Sequence, residues 1–178
     1  LSTEISSVTA VGLRVWDGGG STSSATVSAN WQYDIIPSSG DSVLFDGGVS
    51  NASATWDFTG AVKDFRMENG YAGIVTASGV ATIIVQGKFN VAAGTFNAAG
   101  STLTVSGDFN QSGAGALNLA SSTVKLDGTA VQTVSVLGYY PFTNFTIASS
   151  SRVKAGSVLD VDGAILISGG EFALRAPG

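Results

Sequence analysis

Hydrophobic and polar residues alternate along short segments of this chain. In STLTV (101–105), Leu103 and Val105 alternate with threonines, and STVKL (122–126) repeats the same alternation. A period of two residues predicts β-strands that turn their aliphatic side toward a core. No segment shows the three- and four-residue spacing of an amphipathic helix. The pattern therefore predicts an all-β protein.

The alternating segments belong to a repeat of about twenty residues. GTFNAAGSTLTVSG (94–107) aligns without gaps on GALNLASSTVKLDG (115–128), and VQGKFN (85–90) aligns on VSGDFN (105–110). This period is that of one coil of a β-solenoid, in which successive coils stack about 4.8 Å apart. Stacking places one set of residues beside its equivalents, namely Lys88, Phe89 and Asn90 beside Asp108, Phe109 and Asn110. We expect an ion pair, a ring stack and an amide ladder at these positions.

Glycine follows the strand in several copies of the repeat, at positions 87, 107, 128 and 163. We expect each glycine to adopt a corner conformation that a side chain would resist. Leu159 and Val161 precede Gly163 as Leu103 and Val105 precede Gly107, and GEF (170–172) matches GTF (94–96) in the same phase. The longer interval between 128 and 163 is interpreted as one extra strand, FTNFTI (142–147), and a larger loop around residues 139–141.

These patterns predict a single-stranded β-solenoid (β-helix), right- or left-handed, with about six to eight coils. The chain is interpreted as one domain, 1–178. Residues 61–178 carry the repeat coils, whereas residues 1–60 are atypical, rich in aromatic residues and suited to capping one end of the core.

Composition narrows the classes of function. The chain has 178 residues, 24 of them glycine, with a net charge of −5, no Cys and no His. Nucleic acids and anionic membranes recruit clusters of Lys and Arg, and no such cluster occurs. The missing Cys and His remove thiolate metal sites and the commonest general base. The uncharged run 69–87 contains too many Gly and Thr residues to be a membrane-spanning helix.

The N-terminal part carries a recognisable order of residues. A Trp is followed by an Asn-Trp pair, a Pro and a Gly-Asp pair before an apolar strand, at Trp16, Asn30, Trp31, Pro37, Gly40, Asp41, Val43 and Phe45. In this order, and in FTNFTI (142–147), the chain resembles bacterial secreted and surface β-solenoid proteins of the autotransporter passenger-like and adhesin-like kinds. The resemblance implies a solenoid fold and an extracellular or cell-surface location, and it implies no activity.

Two sets of residues are candidates for binding. Trp16, Trp31 and Tyr33 could form an aromatic platform for a surface glycan, although capping of the core is the more common use of such rings. The N-terminal segment VGLRVW (11–16) alternates as a strand, and the last copy of the repeat stops short of its next strand. Two alternatives follow: the ends associate head to tail between copies through Val11, Leu13, Val15, Phe172 and Leu174, or the N-terminal segment caps its own solenoid.

Chemistry has fewer candidates. Asp160 and Asp162 lie two residues apart and are expected on one outward face, where a carboxylate pair could act as acid and base or bind calcium. A solvated polar face explains them more simply. We therefore expect no catalytic residues, no metal site and no cofactor.

The functional interpretation that follows is an extracellular structural module, forming a fibre or an adhesin stalk, with a glycan-binding module second and a glycan-cleaving enzyme third. N-x-S/T sequons at Asn51, Asn110 and Asn144 leave glycosylation open.

Overall fold

The chain folds into a β-solenoid of about six turns, in a computed structural model that describes residues 12–150 and 152–173. Strands account for 43% of the described residues and helix for 4%. The all-β solenoid predicted from the alternation is thereby confirmed. Two of the residues expected to take part in self-association, Val11 and Leu174, lie outside the described residues.

Short strands form the walls of the solenoid. In chain order they are β1 (Leu13–Val15), β2 (Ser42–Asp46), β3 (Ala54–Trp56), β4 (Ala61–Val62), β5 (Phe65–Glu68), β6 (Ile74–Ala77), β7 (Thr82–Val85), β8 (Phe89–Val91), β9 (Thr95–Asn97), β10 (Thr102–Val105), β11 (Phe109–Gln111), β12 (Ala116–Asn118), β13 (Thr123–Leu126), β14 (Gln132–Val136), β15 (Asn144–Ile147), β16 (Arg152–Ala155), β17 (Ile165–Ile167) and β18 (Glu171–Ala173). Two 3₁₀ turns, Ser28–Asn30 and Gln32–Asp34, lie between β1 and β2.

The strands stack into three parallel sheets. The eight-stranded sheet has the order β1-β2-β5-β8-β11-β14-β16-β18, the six-stranded sheet β17-β15-β13-β10-β7-β4 and the four-stranded sheet β12-β9-β6-β3. A regular coil visits the eight-stranded, four-stranded and six-stranded walls in turn, as β8, β9 and β10 do. Each strand thus pairs with the strand one coil away, which is why the sequence repeat and the hydrogen-bonded ladder share one period.

The register agrees with the predicted repeat in the central coils. Phe109 pairs with Phe89 and Asn110 with Asn90. The longer alignment is reproduced by β9 with β12 and by β10 with β13. The predicted stacking of equivalent residues is therefore confirmed for this part of the chain.

Apolar side chains from all three walls fill the interior. Leu103 and Val105 are buried, as the alternation predicts. Phe65, Phe89 and Phe109 form a ladder in which neighbouring rings stack, with centroids 5.3 Å and then 5.0 Å apart. Offset ring stacking contributes about 0.5–1.5 kcal/mol per pair beyond the burial of apolar area. The ladder therefore ties successive coils together.

Glycine occupies the four repeat positions for a different physical reason from the one expected. None of the glycines at 87, 107, 128 and 163 has a positive φ. A Cβ on Gly107 would instead lie 2.5 Å from the carbonyl carbon and oxygen of Gly87, and a Cβ on Gly128 would meet the carbonyl oxygen of Ser106. Glycine is needed here because successive coils approach too closely for any side chain, so the predicted corner conformation was wrong.

The predicted phase of the last copy was also wrong. Ile165–Ile167, and not the segment with Leu159 and Val161, pairs with β15 in the six-stranded sheet. GEF (170–172) overlaps β18 in the eight-stranded sheet, whereas GTF (94–96) overlaps β9 in the four-stranded sheet. The interval 128–163 holds three strands, β14 to β16, where one extra strand was expected. Short patterns of aliphatic residues followed by glycine recur in more than one wall. Aligning the last copy of the repeat on Gly163 therefore gave the wrong phase.

Regular stacking begins early in the chain. β2, β3 and β4 form a complete coil within residues 42–62, in register with the coil that follows. β1 pairs with β2, so this strand has a place in its own solenoid, which agrees with the capping alternative. Arg14 pairs with the buried Val43 and lies on the core side, whereas Leu13 and Val15 face outward.

Candidate functional site

The N-terminal aromatic residues close one end of the core. Trp16 and Trp31 are fully buried and meet edge to face, with ring centroids 5.2 Å apart. The ring of Trp16 also lies 5.7 Å from that of Phe45. Each indole N–H finds a partner, because Nε1 of Trp16 donates to the carbonyl of Ala52 at 3.0 Å and Nε1 of Trp31 donates to that of Ala25 at 2.8 Å. We call Trp16, Trp31 and Phe45 the aromatic plug.

The three aromatic rings considered above as a sugar-binding platform do not lie together on the surface. Tyr33 is 88% exposed and has a left-handed backbone conformation with φ of 66°. Trp16 and Trp31 present no ring face to solvent, because burial against the core commits both. The structure therefore separates the three rings into a buried pair and one exposed tyrosine.

Asp41 anchors the first coil below the plug. Its carboxylate accepts hydrogen bonds from the backbone N–H of Gly12 at 2.7 Å and of Ser38 at 2.9 Å, and from the Ser38 hydroxyl at 2.8 Å. Nε of Arg14 donates to it at 2.9 Å. Burial by itself would raise the pKa of Asp41, but these donors outweigh it and hold the pKa below its usual value. A carboxylate surrounded by donors is a structural anchor and a poor calcium ligand.

The opposite end of the solenoid is apolar and open. Ile165 pairs with the core residue Phe145, and Ile167 pairs with the core residue Ile147, so both occupy core-facing positions. Yet Ile165 is 53% exposed and Ile167 is 52% exposed. In the part of the chain that the structure describes, no further rung covers them. We call Val158, Ile165, Leu166, Ile167 and Phe172 the open end.

Phe172 completes the open end on the neighbouring wall. Its ring lies 6.0 Å from that of Phe145 and is half-buried, so it continues the aromatic core to the last described rung. Of the predicted self-association residues, the structure thus places Phe172 at this end and Leu13 and Val15 at the other end. β1 and β18 are the two edges of the same eight-stranded sheet.

A polar groove crosses the outer face of the eight-stranded sheet. Its volume is about 530 Å³, and its walls come from side chains that alternate with the core residues of β5, β8, β11 and β14. Arg66, Asn90, Asn110 and Ser135 form one row across these four strands, because each pairs with the next. We call this site the outer groove.

Hydrogen bonds hold the side chains of the outer groove in place. Nδ2 of Asn110 donates to Oδ1 of Asn90 at 2.6 Å, and Nδ2 of Asn90 donates to Oε1 of Glu68 at 3.1 Å. The predicted pair of Lys88 and Asp108 is present at 3.9 Å between Nζ and Oδ2, with Lys88 largely exposed. The sequence-based expectations of an amide ladder and an ion pair are confirmed.

Arg66 and Glu68 are parts of the groove that the sequence analysis missed. NH1 of Arg66 lies 3.9 Å from Oε2 of Glu68. The signal that could have found them is the phenylalanine that begins FRM (65–67), FNV (89–91) and FNQ (109–111) alike. The spacing of 24 residues between the first two copies, against 20 between the next two, hid the match.

The carboxylates at 160 and 162 lie between β16 and β17. They flank Val161, which forms an isolated bridge with Phe142 between the eight-stranded and six-stranded walls. Interaction of the Tyr139 hydroxyl with the Asp160 carboxylate, and then the charges of Asp160 and Asp162, raise the pKa of Tyr139. This phenol therefore stays protonated at neutral pH. Within residues 12–150 and 152–173, no three acidic, His or Cys side chains group closely enough to hold a metal ion.

All three sequon asparagines take part in contacts between coils. Asn51 Oδ1 accepts the N–H of Ala72 at 2.7 Å, Asn144 Oδ1 accepts that of Ala164 at 3.3 Å, and Asn110 bonds Asn90. The side-chain amides of all three residues therefore form hydrogen bonds between neighbouring coils.

These ladders and walls define the chain as a β-solenoid repeat protein. Comparison with protein-family models, curated protein sequences and solved structures finds no match to the chain. Within the described residues, no helix has the length and apolar character needed to span a membrane.

Proposed function

We propose that this chain is a structural β-solenoid module that stacks head to tail with further copies of itself, in a fibre or stalk at a bacterial cell surface. The observation that carries this proposal is the open end, where core-facing residues of β17 remain half exposed. Soluble proteins normally blunt such an edge with charge, proline or a cap. A second copy that covers these residues removes the apolar surface from water.

The two ends of the eight-stranded sheet support the head-to-tail arrangement. β18 of one copy can pair in parallel with β1 of the next, as every internal rung already does. Alternation of core-facing and outward residues is preserved when Phe172 pairs with Arg14, because both lie on the core side. In a contact between two different surfaces, each added copy leaves one surface free to bind the next copy. Such a contact therefore propagates into a filament unless it closes into a ring.

Both ends expose apolar side chains. Leu13 is 48% exposed and Ile35 is 45% exposed near the start, while Leu166 is 57% exposed and Val158 is 90% exposed near the open end. Burying the exposed half of such an aliphatic side chain contributes about 1 kcal/mol. Several such contacts together, added to one rung of backbone hydrogen bonds, favour association.

The bacterial cell-surface location is supported by the resemblance in Trp16, Asn30, Trp31 and the residues that follow. No catalytic role is proposed. Glycan binding by the N-terminal aromatic residues loses support, because two of the three rings form the plug.

Light scattering coupled to size-exclusion chromatography tests the proposal. We expect the average mass of the wild type to rise with concentration, and we expect Ile165→Lys to remain monomeric. Ile74→Lys is the matched control, since Ile74 is 46% exposed on the side wall of β6. It should assemble like the wild type. Circular dichroism confirms that both variants keep the strand spectrum.

A wild type that stays monomeric up to high concentration would overturn the proposal. Assembly of Ile165→Lys at the wild-type level would overturn it as well.

A further inference from the structure

The outer groove is a second surface with features of a binding site, and it lies on the side of the rod, away from both ends. We propose that it binds a neutral oligosaccharide, a chain of sugar rings rich in hydroxyl groups. The first support is size, because 530 Å³ falls within the range of about 300–1,000 Å³ typical of small-molecule sites.

The second support is the charge balance of the lining. Arg66 and Lys88 face three carboxylates, those of Asp64, Glu68 and Asp108. Each cation has a carboxylate within 4.0 Å, so neither sign of charge dominates the groove. A polyanion such as nucleic acid needs a basic stripe, and a free cation needs clustered carboxylates. A neutral ligand fits this lining better than either.

The third support is the supply of both donors and acceptors. Amides line the middle of the groove at Asn90 and Asn110, and hydroxyls line one side at Thr133 and Ser135. A sugar hydroxyl donates one hydrogen bond and accepts others, as serine does, so it matches a wall that offers both. Among the described residues, Nε of Arg66 is buried without a hydrogen-bond partner. The Arg66 side chain as a whole is 36% exposed, so the accessible part of its guanidinium can donate to a ligand oxygen.

The fourth support is the shape of the row. Arg66, Asn90, Asn110 and Ser135 span four adjacent strands, a length of about 14 Å at the usual strand spacing. Successive sugar rings of an extended chain can therefore meet successive rungs. The ladder from Asn110 through Asn90 to Glu68 fixes the side chains before binding, which lowers the entropy cost of association.

A peptide ligand is disfavoured by the position of the groove. Extended peptides bind sheets by adding a strand at a free edge, and β5, β8, β11 and β14 each have paired neighbours on both sides. The groove also lacks an exposed apolar pocket for an anchoring side chain, since its one aromatic lining residue, Phe89, is fully buried.

Isothermal titration calorimetry with defined hexasaccharides tests this proposal. The probes are cellohexaose, xylohexaose, mannohexaose and the hexamer of N-acetylglucosamine. We expect at least one of them to bind with a Kd below about 1 mM, which corresponds to about −4.1 kcal/mol. The double variant Asn90→Ala/Asn110→Ala should weaken that binding at least about tenfold.

A matched control exists on another wall. Asn97 and Asn118 pair in register on the four-stranded sheet, where each side-chain oxygen accepts the backbone N–H two residues further on, so Asn97→Ala/Asn118→Ala removes two asparagines away from the groove and should bind like the wild type. Arg66→Lys keeps the charge but removes Nε, and should also weaken binding. Thermal unfolding checks that all variants are folded.

Absence of binding by every probe at millimolar concentration would overturn the proposal, as would binding that survives both groove variants. The open end is untouched by these substitutions, so the two proposals fail separately.

Discussion

At the scale of single residues, the solenoid depends on a few buried polar groups as well as on its apolar core. Gln132 is buried, and its side chain joins two coils, since Oε1 accepts the N–H of Gly128 at 2.8 Å while Nε2 donates to the carbonyl of Val105 at 2.9 Å. Asp41 plays the same part near the aromatic plug. Such groups cost free energy unless every hydrogen bond is made, so they fix one arrangement of the chain.

The first prediction concerns Asp41. Because hydrogen bonds lower its pKa in the folded state, the stabilisation is fully present above the usual carboxyl pKa of 3.8 and is lost as pH falls through the folded-state value. Asp41→Asn should therefore lower the Tm at about pH 7, by an amount that reflects about 1–3 kcal/mol for unsatisfied buried donors. The difference from the wild type should shrink near about pH 2, because the stabilisation by the ionised carboxylate is lost as the pH falls below 3.8 toward the lowered folded-state pKa.

Thermal unfolding followed by circular dichroism at the two pH values provides the measurement. Asp34→Asn, at an exposed position, controls for the loss of one negative charge. A gap in Tm between wild type and Asp41→Asn that is equal at both pH values would argue against this role of the carboxylate.

The contacts expected for single residues were confirmed where they followed from the repeat. The partners of Lys88 and Asn90 follow from the twenty-residue spacing alone. The burial of Trp16 and Trp31 could not be derived in the same way, because an aromatic ring near a terminus suits both a cap and a sugar platform. Only the three-dimensional position of Phe45 and the indole hydrogen bonds distinguishes the two.

At the scale of the elements, the coil is limited by how closely neighbouring turns approach. Gly87 and Gly107 lie on adjacent coils at the same point of the turn, and the backbone N–H of Gly107 donates to the carbonyl of Gly87 at 2.8 Å. A methyl group on Gly107 would occupy the space of that peptide. The spacing of the ladder and the glycine are therefore two aspects of one constraint.

The second prediction follows from this contact. Gly107→Ala should destabilise the fold by about 1–3 kcal/mol, because neighbouring backbone must move to admit the methyl group. Gly48→Ala is the control, since a Cβ there meets no backbone atom within 4 Å and only a carboxylate oxygen of Asp46 at 3.1 Å. We expect the control to change the stability by less than about 0.5 kcal/mol.

Urea unfolding of both variants provides the comparison. If Gly107→Ala were as stable as Gly48→Ala, the close approach between these coils would not constrain the sequence.

The repeat predicts elements well only while coil length is constant. β9 with β12 and β10 with β13 keep one offset, so alignment of the sequence found them. Beyond β13 the four-stranded wall has no further strand in the described residues, and a loop with Tyr139 and Tyr140 takes its place. Without a constant offset, the short apolar segments around Val161 and Leu166 lose their phase, and the assignment there was wrong.

At the scale of the whole molecule, the solenoid is a short rod with unlike ends. Within the described residues, the aromatic plug covers the core at the N-terminal end, whereas the core-facing Ile165 and Ile167 remain about half exposed at the open end. Each strand is paired along the rod axis, so a rod extended by further copies would keep the same hydrogen-bonded ladder. This asymmetry is the physical basis of the proposed head-to-tail fibre.

Disulfide cross-linking between copies tests the proposed assembly most directly, because the chain has no cysteine of its own. In the proposed contact Glu171 of one copy pairs with Leu13 of the next at the usual strand spacing of about 4.8 Å, within the Cα separation that a disulfide spans. We expect an oxidised mixture of Leu13→Cys and Glu171→Cys proteins to form a covalent heterodimer, while each variant alone stays uncross-linked. Failure of the mixture to cross-link, or homodimers of Glu171→Cys alone, would contradict head-to-tail stacking.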